Sequence, residues 1–133
     1  MNNKNLTPEQ EINLLILNKQ AQWDKVNFDA ELINIDEEYA RQEEGGGLQD
    51  AEEEIRCSGI ASGLDCDFSR NYETDAVAKQ TLSGKWVGWT YYYGGGKHSN
   101  PSEITWKNYA YFLDCEEKEV TVIQRTFKKQ DNA

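Results

Sequence analysis

Apolar and polar positions alternate with two different periods along this chain, and the change of period divides it. Over residues 7–24, Ile12, Leu15, Ile16 and Trp23 recur at helical spacing, flanked by Leu14, Leu17 and Ala21. This wide stripe predicts a well-buried helix with a break near Asp24. Its start has a mechanism: Thr7 caps, Pro8 suits the first helical position, and Gln10 stands where a capping box reaches back. Over 27–43, Phe28, Ala30 and Leu32 alternate as in a strand, but Ile33 and Ile35 spoil that register. Leu32, Ile35 and Tyr39, with Val26 and Ile33 alongside, fit a second amphipathic helix, and that is the assignment. The three glycines at 45–47 end it, since each costs a helix about 1 kcal/mol. A shorter helix over 48–57 uses Leu48, Ala51 and Ile55, and "CSGIASGLDCD" (57–67) reads as turn or loop.

Beyond residue 68 the period shortens. "NYETDAVAKQTL", "SG" and "KWVGWTYYY" form a hairpin pattern with a two-residue turn at Ser83 and Gly84. "NYAYFLDC", "EEKE" and "VTVIQRTF" read as a second hairpin, rich in the aromatic and β-branched residues that strands favour. The glycines and Pro101 of "GGGKHSNPSEITW", which joins the hairpins, exclude regular structure over most of its length. The expected fold is α+β, with two or three N-terminal helices packed on a four-stranded antiparallel β-meander. It forms one domain over 1–133: a flexible tail at 1–6, an acidic helical part at 7–57, and an aromatic-rich antiparallel sheet at 68–128.

Charge sharpens this division. The chain has 24 acids against 14 bases, a net charge of −10. Residues 29–54 alone carry eleven acids and one base, Arg41, whereas residues 81–133 are close to neutral with seven bases and six acids. Binding nucleic acid requires positive charge to displace counterions from phosphate, so direct binding is excluded as the main activity. Acid runs are commonly solvated faces that aid solubility. Here they lie on segments with helical apolar spacing, which would display them rigidly. Were residues 29–54 one helix, it would span about 39 Å, and its acids would follow one another at about the charge spacing of a single DNA strand. Such a face attracts proteins built to hold nucleic acid.

The aromatic stretch "WVGWTYYYGGGKH" (86–98) is the other candidate. On a strand, Val87, Trp89, Tyr91 and Tyr93 share one face, suited to a core beneath the helices. Trp86, Gly88, Thr90 and Tyr92 share the other, which pairs its rings across strands or offers a binding platform with Trp106, Tyr109 and Tyr111 as neighbours. "GGGKH" fails as a phosphate loop: Tyr91 stands where the first glycine belongs, and His98 follows the lysine in place of Ser or Thr. His98 is the sole histidine; with Cys66 or Asp65 it could serve an enzyme, but no recognised nucleophile pattern accompanies it. No catalytic residue is assigned. Cys57, Cys66 and Cys115 lack metal-ligand spacing, so no metal or cofactor is expected, and the thiols read as buried or half-buried in a reducing compartment. The absence of a signal peptide or a long apolar run points to a soluble, cytoplasmic protein with no membrane contact.

"WVGWTYYYGGGKH", followed by "EITW" and "YFLDC", resembles a segment of small uncharacterised acidic proteins of phages and prophages, over roughly residues 55–127. The resemblance brings a setting and no site residues. In size and charge the chain is similar to anti-CRISPR and anti-restriction proteins, many of which occupy the nucleic-acid surface of host machinery. The expected function is therefore a non-catalytic, phage-encoded interaction protein that blocks the basic cleft of a host nucleic-acid-binding defence protein. The residues expected to make that contact are Asp36, Glu37, Glu38, Glu43, Glu44, Asp50, Glu52, Glu53, Glu54, Trp86 and Tyr92. The alternatives are a small-ligand or carbohydrate-binding module on the aromatic face and, behind it, the His98 enzyme.

Overall fold

The computed structural model describes residues 5–97 and 99–131. Three helices precede the main strands: α1 (Pro8–Asp24), α2 (Ile35–Glu44) and α3 (Gln49–Arg56). Strands β1 (Ile60–Ala61), β2 (Glu73–Gln80), β3 (Trp86–Tyr93) and β4 (Tyr111–Leu113) follow as an antiparallel sheet in sequential order. Two single 3₁₀ turns, at Pro101–Glu103 and Lys107–Tyr109, lie between β3 and β4. The α+β arrangement of helices before an antiparallel meander is as the patterning implies.

Local chemistry sets the helix ends. Thr7 and Gln10 form the reciprocal capping box, with Thr7 Oγ1 accepting from the Gln10 amide at 3.1 Å and Gln10 Oε1 accepting from the Thr7 amide at 3.0 Å. Lys25 takes a left-handed conformation (φ 57°) past the last turn, and the Val26 amide returns to the Ala21 carbonyl at 3.1 Å. This is the Schellman stop, made here without glycine. The second helix begins at Ile35, not near residue 27. Asp29 accepts from the Glu31 amide at 3.0 Å, holding a turn, and Asn34 then caps by accepting from the Glu37 amide at 3.2 Å. Leu32 and Val26 are consequently exposed, while Ile35 and Tyr39 are buried. Trp23, expected on the buried stripe, is also exposed in the final turn of α1.

The core lies between the helices and one sheet face. Ile12, Leu15 and Ile16 of α1, Ile35 and Tyr39 of α2, and Ala51 and Ile55 of α3 pack with Val77, Val87, Trp89 and Trp106. Trp89 is fully buried, its ring 5.2 Å from that of Trp106, and its indole N–H donates to the Arg56 carbonyl at 3.3 Å. The core thins along β3, because Tyr91 is half-buried and Tyr93 exposed. Those two rings stack on each other at 5.3 Å, and Arg56 at the end of α3 lies over the Tyr91 ring at 5.0 Å.

Three sheet details depart from the sequence expectation. The β2–β3 turn is a three-residue loop, 82–84, closed by the Thr81 amide donating to the Lys85 carbonyl at 2.7 Å, with Gly84 at φ 91°. A two-residue turn at Ser83 and Gly84 would shift the pairing by one residue; the observed register sets Val77 opposite Trp89 and places both in the core. The edge strand β1 arises from the segment read as loop, pairing Ile60 with Ala78 and Ala61 with Val77. Two residues are too few to show a period. Conversely, residues 120–127 form no strand and stand exposed, so the strands run from Ile60 to Leu113 and the second hairpin does not close.

Gly59 enters β1 against the core: a β-carbon there would lie 2.7 Å from Val77 Cγ2 and 3.2 Å from the Trp89 ring. Because Val77 is stiff at χ1, Gly59→Ala should destabilise the fold by about 1–3 kcal/mol. In urea unfolding, the Gly59→Ala/Val77→Ala pair should lose less than the sum of its single changes, by about 0.5 kcal/mol or more. Strict additivity would show that this contact does not constrain the fold.

Candidate partner-binding surface

The acids of the central stretch ride on two short helices, both packed on α1. They do not form the single 39 Å rod that continuous helicity would give. The ten residues of α2 and eight of α3 span about 15 and 12 Å, separated by a bend where Gly46 adopts φ 74°. Asp29 and Glu31 lie in the turn before α2. The acidic array is therefore a two-segment patch.

Some of its charges have structural work. Asp36, Glu37 and Glu38 occupy the first turn of α2, and Asp50 and Glu52 that of α3, where the helix dipole favours anions. Arg41 pairs with Glu38, which also accepts from Gln42 at 3.1 Å. The Gln42 and then the Arg41 hydrogen bonds hold the Glu38 carboxyl below the usual glutamate range. Arg56 grips Glu53 through two bonds of 2.6 and 2.9 Å and donates to the Tyr92 carbonyl at 2.8 Å. Lys107 reaches Tyr39 Oη at 2.7 Å, Asn13 Oδ1 at 3.0 Å and Glu52 at 3.6 Å. Burial, and after it the charges of Glu52 and Glu43, push the Tyr39 phenol up, so it stays protonated as it accepts from Lys107.

Each of these three cations is thus committed to one acid of the patch. Asp36, Glu37, Glu43, Glu44, Asp50 and Glu54 are exposed and in no ion pair among the described residues. Glu43 and Glu44 end α2, where the dipole disfavours them.

Beside α3 lies a groove of about 450 Å³, with Glu52, Glu53, Arg56, Asn100, Glu103 and Trp106 on its wall. Glu52 and Glu53 there already meet Lys107 and Arg56, and Glu103 is in no ion pair among the described residues. Asn100 and Glu103 escaped sequence reasoning, because nothing local links the 3₁₀ turn at 101–103 to a helix some fifty positions earlier.

Trp86 and Tyr92 are half-buried and lie on the opposite side of the sheet from Trp89, since strand alternation turns them away from the helices. The structure does not bring them together with the acids. Of their expected neighbours, Tyr111 does join that face, its ring closing over Gly88, where a β-carbon would meet it at 2.6 Å. Trp106 is buried on the helix side and Tyr109 is exposed on its 3₁₀ turn. His98 lies outside the described residues, Cys66 is half-buried and Asp65 exposed. Cys57 and Cys115 are exposed, contrary to the expectation of buried or half-buried thiols. Among the described residues no cluster of three or more His, Cys, Asp or Glu side chains could hold a metal, and no helix is long and apolar enough to cross a membrane.

No protein-family model matches the chain, nor does any curated protein or solved structure. Its chemistry has to be read from its own surface.

The Glu53–Arg56 pair gives that surface a pH signature. Hydrogen bonds from Arg56 hold the Glu53 carboxyl below its ordinary value of 4.5, against the upward pull of burial. A depressed carboxyl stabilises the fold above its unfolded pKa, and that contribution vanishes as pH falls through the folded value. Glu53→Gln should therefore be less stable than the wild type in urea at neutral pH, with the gap closing as the pH falls below the ordinary glutamate range. An equal gap at neutral and acidic pH would exclude the pair as a contributor.

Proposed function

We propose that this protein is a non-catalytic inhibitor, encoded by a phage, that acts in the host cytoplasm by occupying the basic nucleic-acid cleft of a host defence protein of the CRISPR or restriction type. The observation that carries this reading is the placement of Glu43, Glu44 and Glu54: exposed, in no ion pair among the described residues, and with Glu43 and Glu44 set against the dipole of their own helix. Glu43 meets the Tyr39 phenol, but no ion pair among the described residues offsets Glu44 or Glu54, whereas a cationic partner would. The six carboxylates in no ion pair among the described residues, held on helices that pack on α1, present negative charge already ordered, so a cleft lined with Lys and Arg would meet them at little conformational cost. Long-range attraction speeds the encounter, and Glu103 in the groove beside α3 would meet one cationic side chain. Trp86 and Tyr92 face the other way and take no part in this contact.

The test uses purified host RNA-guided nucleases and restriction endonucleases, with target-DNA cleavage as the readout at low and moderate salt. The wild-type protein should inhibit one of them, and its apparent affinity should fall steeply as salt screens the contact. The Glu43→Gln/Glu44→Gln/Glu54→Gln variant, folded by circular dichroism, should inhibit at least about tenfold more weakly. Undiminished inhibition by that variant, or inhibition indifferent to salt, overturns the acidic-face mechanism.

A further inference from the structure

The C-terminal segment presents apolar surface that the rest of the chain leaves bare. Val120, Val122, Ile123 and Phe127 are 77, 79, 76 and 86% exposed, although "VTVIQRTF" has the β-branched and aromatic composition of a strand. Four large apolar side chains in one short exposed run mark an interaction surface. Two features of the sheet complement it. The first is an edge: β4 ends the strand order and pairs only with β3, so its other side offers unpaired backbone donors and acceptors. The second is a groove of about 310 Å³ on the sheet face turned away from the helices, lined by Ile60, Ala78, Trp86 and Leu113, with Asp114 and Glu116 also on its wall. Residues 120–129 carry Arg125, Lys128 and Lys129 and no acid, so the segment matches the groove in charge as well as in polarity.

We propose that residues 120–127 are an exchanged strand: the segment of each chain adds to the β4 edge of a second copy and lays Val120 and Val122, which share one face, in that copy's groove, with Ile123 and Phe127 on the other face, making a two-fold dimer. Every copy carries one segment and one groove, so a single two-fold axis satisfies both pairings at once. The connection at 114–119 can extend to about 20 Å, enough to leave its own sheet and cross to a neighbour's. Within its own chain the segment leaves the groove uncovered and its side chains in water. The exchange uses the side of the sheet opposite the acidic helices and stands independently of the inhibitor reading.

Size-exclusion chromatography with light scattering, from low micromolar to about 100 micromolar, measures the assembly. The expected result is twice the chain mass at high concentration. Hydrogen exchange at 120–127 should be protected there and lose protection on dilution. Val122→Asp/Ile123→Asp, and separately a chain stopped after Lys118, should both be monomeric with unchanged circular dichroism, since in the single chain the segment supports no core contact. Lys128→Glu/Lys129→Glu should weaken the dimer about tenfold, since it reverses the charge facing Asp114 and Glu116. A monomer at every concentration overturns the proposal, whether its 120–127 amides exchange freely or are protected by folding back on the same chain. A dimer that survives removal of the segment overturns it equally.

Discussion

The buried indole of Trp89 is the contact on which the arrangement of this protein depends. Its N–H holds the Arg56 carbonyl, tying the end of α3 to the middle of β3. Its ring packs on Trp106 and closes over residue 59, where Val77 leaves room for glycine alone as the chain enters β1. From these contacts the polar framework follows. Arg56, placed by its own backbone, turns its guanidinium to Glu53 and to the Tyr92 carbonyl. Trp106 sets the adjacent Lys107 among Asn13, Tyr39 and Glu52, one residue from each helix. A single aromatic anchor thereby orients three helices against one sheet.

That framework explains how short helices bear so many like charges. Helices of ten and eight residues are marginal in isolation, and repulsion between acids one turn apart weakens them further. Their persistence rests on Ile35, Tyr39, Leu48, Ala51 and Ile55 in the core. Tertiary packing also accommodates a buried acid, Glu11, which is 1% exposed and accepts from Ser83 Oγ at 2.8 Å, joining α1 to the β2–β3 turn. One of its oxygens has no hydrogen-bond partner. A desolvated carboxylate costs stability, so the turn hydroxyl that meets it matters to the docking of α1 on the hairpin.

The sheet separates two surfaces of different chemistry. Carboxylates stand on the helix side, and an apolar groove with exposed β-type residues near its end occupies the other. Strand alternation alone enforces this division, because Trp86 and Val87 cannot share a face. An assembly through the groove side would leave the acids of both copies open, doubling the charged surface without any change in the contact each copy makes.

Much of this was legible in the chain. The capping box, the glycine stop at 45–47, the helical spacing of Leu48, Ala51 and Ile55, and the strand alternation of 86–93 are local, each set by residues a few positions apart. The density of acids was equally plain. Only the tertiary structure decided which acids remain unpaired, since Arg56 and Lys107 choose their partners through packing. It also decided that Trp86 and Tyr92 face away from them, that the β2–β3 loop has three residues, and that Ile60 and Ala61, not residues 120–127, complete the sheet. The physical reason is one of range. Backbone propensity and side-chain period act over one or two turns, whereas register, ion pairing and strand order depend on groups brought together from distant parts of the chain, whose meeting no local pattern encodes.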